Sequence, residues 1–285
     1  MRHRFLANTA VSAIGLGAMP LSIEHRPDEA RAIATIHAAL DAGVTLIDTA
    51  DSYHWHAGEE GHNELLIARA LARRGDVLVA TKGGRGRPGD GSWTVTATPE
   101  HLKRAAEASA RRLRVDAIGL YQLHKPDPAV PWAESVGALR DLLDAGTIRA
   151  AGISNVTTAQ VLEAREILGD GLASVQNRYS PAVRDSEPVL ALCTELGLAF
   201  LPWSPLGGIS RSSLDGPGPA SAGTAFHDVA AERGTSPQQI ALAWLLARSP
   251  VVIPIPGASR PASITASAQA VDLALSADEL ARLEG

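Results

Sequence analysis

Gly15-Leu16-Gly17-Ala18-Met19-Pro20 is the first strand-to-helix turn of the chain, following the apolar pair Ala13-Ile14. In an open, doubly wound α/β sheet this turn carries a third glycine and opens a helix whose N-terminus receives a dinucleotide's pyrophosphate. Here Pro20 stands in the third glycine's place, and the next helix start is Pro27-Asp28-Glu29. The rival architecture for alternating strands and helices is a closed parallel barrel, which keeps its chemistry at the C-terminal ends of its strands.

Working outward from that turn, eight short apolar runs read as strands buried on both faces. They are Ala13–Gly17, Leu46–Ala50, Val77–Lys82, Ala117–His124, Arg149–Ser154, Ala173–Asn177, Ala199–Ser204 and Val251–Ile255. Amphipathic helices lie between them and carry recognisable starts. Thr98-Pro99-Glu100 gives a cap, a first-turn proline and an acid; Asn155-Val156-Thr157-Thr158 and Thr235-Ser236-Pro237 precede two more helices; Ser276-Ala277-Asp278-Glu279 is a capping-box pattern. No Pro/Gly/Ser linker divides the chain, since the richest stretch, Ser212–Gly223, falls between a strand and its helix. Eight strand–helix units in 285 residues predict an α/β protein, a (β/α)8 TIM barrel forming a single domain over residues 1–285.

Composition narrows the function classes. The chain is 45% hydrophobic and 20% charged with a formal net charge of -5 and no basic run, which argues against a nucleic-acid partner. No stretch approaches the roughly 20 apolar residues of a membrane span, and no signal-peptide core is visible. One cysteine, Cys193, on a helical apolar pattern, excludes an internal disulfide and reads as a small buried apolar residue. A soluble cytoplasmic protein is expected, monomeric by default, with a homo-oligomer left open.

The strand ends carry the chemistry. Lys82 is one of three lysines in a chain that otherwise takes positive charge from arginine, and it ends the apolar run Val77–Thr81. Burial shifts a lysine's pKa in a way arginine does not allow. Asp48 ends Leu46-Ile47-Asp48, with Tyr53 just beyond, and His124 ends Tyr121-Gln122-Leu123-His124. A phenol, whose ordinary pKa is near 10, becomes a better proton donor beside a cation, and a buried lysine is tolerable when paired, here with Asp48. An imidazole can hydrogen-bond a carbonyl oxygen. Together they make a carbonyl-polarising, proton-delivering site that uses neither metal nor protein nucleophile and still lacks a reductant.

The ordered motifs resemble the aldo-keto reductase family over nearly the whole length. They are Gly15-Leu16-Gly17, Leu46–Ala50 with Tyr53, Thr81-Lys82-Gly83-Gly84, Leu120–His124, Gly152-Ile153-Ser154-Asn155, Val175-Gln176-Asn177, Trp203–Gly207 and Ile253–Gly257. The resemblance implies a catalytic tetrad of Asp48, Tyr53, Lys82 and His124, with Tyr53 as general acid and Lys82 lowering its pKa. It implies reduction of a small-molecule aldehyde or ketone by NADPH. It places Ser154, Asn155 and Gln176 at the nicotinamide carboxamide, Trp203 on its ring, and Ser204, Leu206, Gly208 and Arg211 along the pyrophosphate. Gly17, Ala18, Met19 and Gly257 join the cofactor set, with Ser259, Arg260, Ser263 and Ser267 toward the adenosine and its 2′-phosphate. Arg260 suits a phosphate because its planar fork binds bidentately. The family's Glu-Asn pair at adenine is replaced by Ala266-Ser267.

Trp55 and Trp93 are expected to wall the substrate pocket. Narrow-specificity members of the family often carry a long C-terminal loop over the barrel mouth, so with the sequence ending at Gly285, just after the last helix, the resemblance implies a more open pocket and a broad or large substrate. Other readings stand beside these. The same architecture serves nicotinamide-binding regulatory subunits with little turnover. Singly, Asp48 reads as a cap, Lys82 as a snorkelling rim residue, Tyr53 as a loop aromatic and His124 as a core histidine. His54, His56 and His62 with Glu59 and Glu60 have the composition of a zinc site, yet they fall in a glycine-loosened loop and read as solvated or rim residues; no metal is expected. Trp132 reads as helix-start packing, Trp244 as core, and Arg111-Arg112-Leu113-Arg114 as a solvated face complementing a helix dipole.

Overall fold

The computed structural model describes residues 1–72, 75–209 and 223–284. The chain opens on an antiparallel hairpin, β1 (His3–Leu6) and β2 (Thr9–Ser12), which lies outside the main sheet. Seven parallel strands follow: β3 (Leu16–Gly17), β4 (Leu46–Asp48), β5 (Leu78–Gly83), β8 (Leu120–Leu123), β9 (Ala151–Ser154), β10 (Leu172–Gln176) and β11 (Ala199–Phe200). A second small hairpin, β6 (Arg85–Gly86) with β7 (Thr94–Val95), follows β5. The sheet order β11-β10-β9-β8-β5-β4-β3 is sequential, so each strand pairs with its neighbour in the chain's own order.

The first seven expected strands are thus present, all shorter than expected but the third and the sixth, which keep their six and five residues shifted by one position, while the eighth differs. Val251–Ile255 forms no ladder among the described residues; it contributes an isolated parallel bridge, Phe200↔Val252, while Gly17↔Gly257 bridges the opposite edge. Pro254 and Pro256 explain this, because a proline cannot donate to a ladder. Their carbonyls still accept from the amides of Gly15 (2.9 Å) and Gly17 (3.0 Å), and Ile253 donates to Phe200 O (2.8 Å). One segment therefore hydrogen-bonds both edges of the curled sheet. Gly17 permits that approach: a Cβ there would stand 2.6 Å from Ile255 O.

Helices α1 (Glu29–Asp41), α2 (His62–Leu71), α3 (Pro99–Leu113), α4 (Trp132–Asp144), α5 (Thr158–Leu168), α6 (Glu187–Leu196), α7 (Ala225–Arg233), α8 (Pro237–Arg248), α9 (Pro261–Gln269) and α10 (Ala277–Glu284) complete the described elements with short 3-10 turns, one of them at Met19–Leu21 in the opening turn. Several begin where side-chain chemistry says they should. Asp28 accepts from Arg31 N at α1 and Thr98 from His101 N at α3. Thr157/Gln160 and Ser236/Gln239 form capping boxes at α5 and α8, and Ser276/Glu279 exchange the same bonds at α10. None of the described helices is long and apolar enough to cross a membrane.

Strand alternation sorts the side chains. Leu46, Ala80 and Leu120 pack in an apolar cluster with Leu6 and Val11 of the first hairpin and Ile253 and Ile255. Two residues further along the same strands, on the same face, come Asp48, Lys82 and Gln122, with Gln176 on β10, all buried. The same alternation sends Ile47, Tyr121, Ile153 and Val175 toward the helices. A polar layer on an apolar floor therefore lies toward the strands' C-terminal ends.

Candidate active site

Lys82 is fully buried, and its Nζ has three partners: Asp48 Oδ1 at 2.6 Å, Thr49 O at 2.9 Å and Tyr53 OH at 3.0 Å. Three partners satisfy the three donors of an ammonium, so the charge stays in place despite desolvation. Burial pulls the Lys82 pKa down, but Asp48 and Tyr53 outweigh it and the net shift is upward. The other carboxylate oxygen of Asp48 accepts from Gln176 Nε2 at 2.7 Å and Gln122 Nε2 at 3.3 Å. Gln122 was quoted in a sequence motif without a role; its two-residue offset from Leu120 is the signal that places it in this layer.

Tyr53 departs from the simplest electrostatic expectation. Lys82 does favour the phenolate, but burial is the larger effect and Asp48 adds to it, so the phenol titrates above its ordinary value. Tyr53 therefore keeps its proton throughout the neutral range. His124 stands edge-on to the Tyr53 ring with centroids 5.8 Å apart. Burial, then the charges of Lys82 and Arg85, push its pKa well below the ordinary histidine value, so the ring is neutral. Its buried Nδ1 has no hydrogen-bond partner.

A cavity opens above this cluster. Tyr53 and His124 line it with Arg85 and Trp93 on one side, and with Ser154, Asn155, Gln176, Trp203, Ser204, Leu206 and Gly257 on the other. Gly17, Met19 and Asp48 also reach it. The amide-rich wall is already self-braced. Asn155, held at φ 60°, donates to His124 O at 2.9 Å and accepts from Trp203 Nε1 at 3.1 Å, while Ser154 Oγ donates to Gln176 O at 2.7 Å. Trp203 is thereby fixed as a wall of the cavity, a flat aromatic face beside amide groups, which fits a nicotinamide ring; the Arg178 guanidinium lies 5.6 Å from its ring centroid.

Other expected residues lie elsewhere. Ala18 is buried behind the wall, its carbonyl accepting from Asn63. Gly208, at φ 85°, and Ser263 and Ser267 on α9 are outside the cavity lining, and Ser259 lines a separate cleft with Pro20, Ile23, Glu24 and His25. Arg260 is exposed ahead of α9. Arg211 lies outside the described residues. Trp93 lines the cavity, whereas Trp55 is not among its lining residues and has the Arg87 guanidinium 5.5 Å from its ring centroid.

The histidine-rich loop is occupied by local bonds. His54 Nδ1 pairs with His56 O at 2.9 Å, and His62 Nδ1 with Ser22 Oγ at 2.8 Å. Glu59 forms a two-pronged pair with Arg26, which holds its carboxyl down to about 2. Trp244 is core, stacked on Tyr179, and the buried Cys193 thiol is pushed up to about 12. Arg112 is a correction: it does not simply face solvent but pairs with fully buried Glu64 at 2.6 Å.

Residues 13–285 match the Aldo/keto reductase family. The chain belongs to the aldo/keto reductase family. It is accordingly an NAD(P)H-dependent oxidoreductase. It is 34% identical over 98% of its length to an uncharacterized oxidoreductase of Schizosaccharomyces pombe, covering 88% of that protein. It is 33% identical to pyridoxine 4-dehydrogenase of Escherichia coli, covering 98% of this chain and 96% of that one. An aldo-keto reductase from Klebsiella pneumoniae, solved in complex with NADPH, superposes with a TM-score of 0.83 at 29% identity, over 100% of this chain and 95% of the other.

Proposed function

We propose that this aldo/keto reductase reduces an aldehyde or ketone to the alcohol with NADPH, with Tyr53 as the proton donor. We also propose that residues 1–285 fold as one (β/α)8 barrel in which Val251–Gly257 takes the eighth strand's place. The observation that carries the catalytic reading is the contact of Tyr53 OH with Lys82 Nζ at 3.0 Å, inside a cavity that His124 also lines. When bound, NADPH supplies the hydride that adds to the carbonyl carbon. Tyr53 gives its phenolic proton to the carbonyl oxygen, and the adjacent Lys82 ammonium stabilises the phenolate left behind. Asp48 keeps that ammonium charged and fixed. Neutral His124 donates a hydrogen bond to the same oxygen and orients the carbonyl.

Ser154, Asn155 and Gln176 form the carboxamide end of the cofactor site, with Trp203 against the ring. Gln176 Nε2 is committed to Asp48, so its Oε1 is the atom left to accept from the carboxamide NH2. Ser204, Leu206, Gly208 and Gly257 lie toward the pyrophosphate; Ser259, Arg260, Ser263 and Ser267 lie toward the adenosine. Exposed Arg260 has no ion-pair partner among the described residues, which suits it to a 2′-phosphate.

The test follows NADPH absorbance with a reactive aromatic aldehyde. Tyr53→Phe is expected to lower turnover by about 10²–10⁴-fold, the range for losing a positioned general acid, with NADPH affinity held within about 3-fold because the phenol hydroxyl is not a cofactor ligand. Equal turnover in the variant sinks the assignment.

A further inference from the structure

The charges around the cavity do not balance. Asp48 is neutralised by Lys82, Tyr53 is a neutral phenol, and His124 is neutral. That leaves the Arg85 guanidinium, which lines the cavity on the side of Trp93 and His124. It has no carboxylate partner among the described residues, and its buried Nε has no hydrogen-bond acceptor.

Arg87, two residues along the same segment, shows what a structural arginine looks like in this surrounding. Its Nε, like that of Arg85, has no acceptor, but Glu24 grips both of its terminal nitrogens and His54 O accepts from it at 3.0 Å, so the carboxylate partner is what Arg85 lacks. Both guanidiniums rest on the Trp93 ring, Arg85 at 4.4 Å and Arg87 at 4.5 Å. Arg85 is half-buried, and a guanidinium that has given up part of its hydration for a cation–π contact without a counter-ion gains by pairing with an anion. The hairpin places it there by its backbone: Gly84 at φ 97° turns the chain out of β5, and Arg85 pairs with Val95 across β6 and β7.

We propose that Arg85 binds the carboxylate of an anionic carbonyl substrate, which deepens the reductase reading above and rests on it. A guanidinium's planar fork donates two parallel hydrogen bonds to a carboxylate. The Arg85 guanidinium lies over the Trp93 ring, 4.4 Å from its centroid, and the His124 ring centroid lies 6.5 Å from Trp93's, so both groups border one aromatic side chain in the cavity wall. A carbonyl compound carrying its carboxylate across a benzene ring from the carbonyl presents the two groups separately, one to Arg85 and one to His124 and Tyr53. 4-Carboxybenzaldehyde has this shape, and its methyl ester differs only in charge at the far end.

The experiment measures kcat/KM for the acid and the ester with NADPH, in wild type and in Arg85→Gln, Arg85→Lys and Arg85→Glu. Wild type is expected to prefer the acid. The acid-to-ester ratio should fall about 10–100-fold in Arg85→Gln, the effect of losing a charge-assisted hydrogen-bond pair. It should fall less in Arg85→Lys and most in Arg85→Glu. Loss of NADPH affinity with an unchanged ratio would assign Arg85 to a cofactor phosphate and overturn the proposal. Equal loss on acid and ester with a displaced pH profile would assign it to tuning Tyr53, with the same consequence. Calorimetric binding of 4-(hydroxymethyl)benzoate to the NADPH-saturated protein reads the site without turnover. Binding weakened in Arg85→Gln supports the carboxylate site even if the reductase reading fails, and equal binding in wild type and variant removes it even if that reading stands.

Discussion

The burial that holds the tetrad together also sets its pH behaviour. Lys82 is pushed upward by Asp48 and Tyr53, and Tyr53 is pushed upward by desolvation, so neither group changes protonation near neutrality. His124 is pushed well below its ordinary value and is already neutral there. In the proposed mechanism the acid form of Tyr53 is the one that donates, so activity is expected below its raised pKa and lost only as pH climbs through it. The expected kcat/KM profile for reduction is flat from about pH 6 to 9, falling in strongly alkaline solution. A midpoint near pH 7 would show that some other group delivers the proton. This cluster was legible in the sequence because it depends on a short rule: two residues past Leu46 and Ala80, strand alternation returns to the same face and finds Asp48 and Lys82. Arg85 was not legible in that way, since its interest lies in a partner it lacks, and absence of a partner is a property of three-dimensional neighbours.

At the scale of elements, the loop after β4, α2 and α3 enclose a second polar cluster. Asp51 and Glu64 are both buried there, Glu64 pairs with Arg112 and accepts from Thr81 at 2.5 Å, and Asp51 Oδ1 has no partner. Burial, then the charges of Glu64 and Glu60, raise Asp51 well above the ordinary carboxylate range, with Arg112 opposing them. The folded protein thus holds this proton more tightly than the unfolded chain, whose carboxyl titrates near 3.9. Stability is intact below that value and erodes as pH rises toward the folded pKa, because the unfolded state sheds its proton first. Asp51→Asn removes the erosion. The variant's melting temperature should exceed wild type by more at pH 8 than at pH 5, by about 2–4 °C; an equal difference at both pH values would mean that Asp51 is ionised in the fold. The start of α3 at Thr98, like several elsewhere, could be read from sequence because a cap is a contact between residues three apart, whereas α2 starts at Gly61 with no side-chain cap and left no such mark. The first hairpin and the broken eighth strand could not. Leu6 and Val11 are defined by what they plug, and Pro254 and Pro256 leave a segment that bonds one sheet edge through its carbonyls and the other through Val251 O and the Ile253 amide without forming a ladder.

Across the whole molecule, the two ends of the sheet are built for different work. The end carrying Asp48, Lys82 and His124 is polar and opens into the cavity, while the opposite end is closed by Leu6 and Val11 over Leu46, Ala80 and Leu120. Arg4 fastens that closure. Its guanidinium donates to Ser249 O at 2.7 Å, to Leu246 O at 2.5 Å and to Val252 O, so it caps the last carbonyls of α8 and ties the hairpin to the chain between α8 and the closing segment. Hydrogen bonds from a charged donor to buried carbonyls contribute about 1.5–3 kcal/mol, and cations at a helix C-terminus add to this. In a chain of this size roughly 1 kcal/mol moves the melting temperature by about 2 °C. Arg4→Met should therefore lower it by about 3–6 °C. It should leave kcat/KM for a neutral aldehyde within about 2-fold, because distant sites with no shared partners act independently. A comparable loss in kcat/KM would mean that the hairpin's hold on Val252 is transmitted along Ile253–Gly257 to the cavity wall, making the closing segment a mechanical link between the two ends.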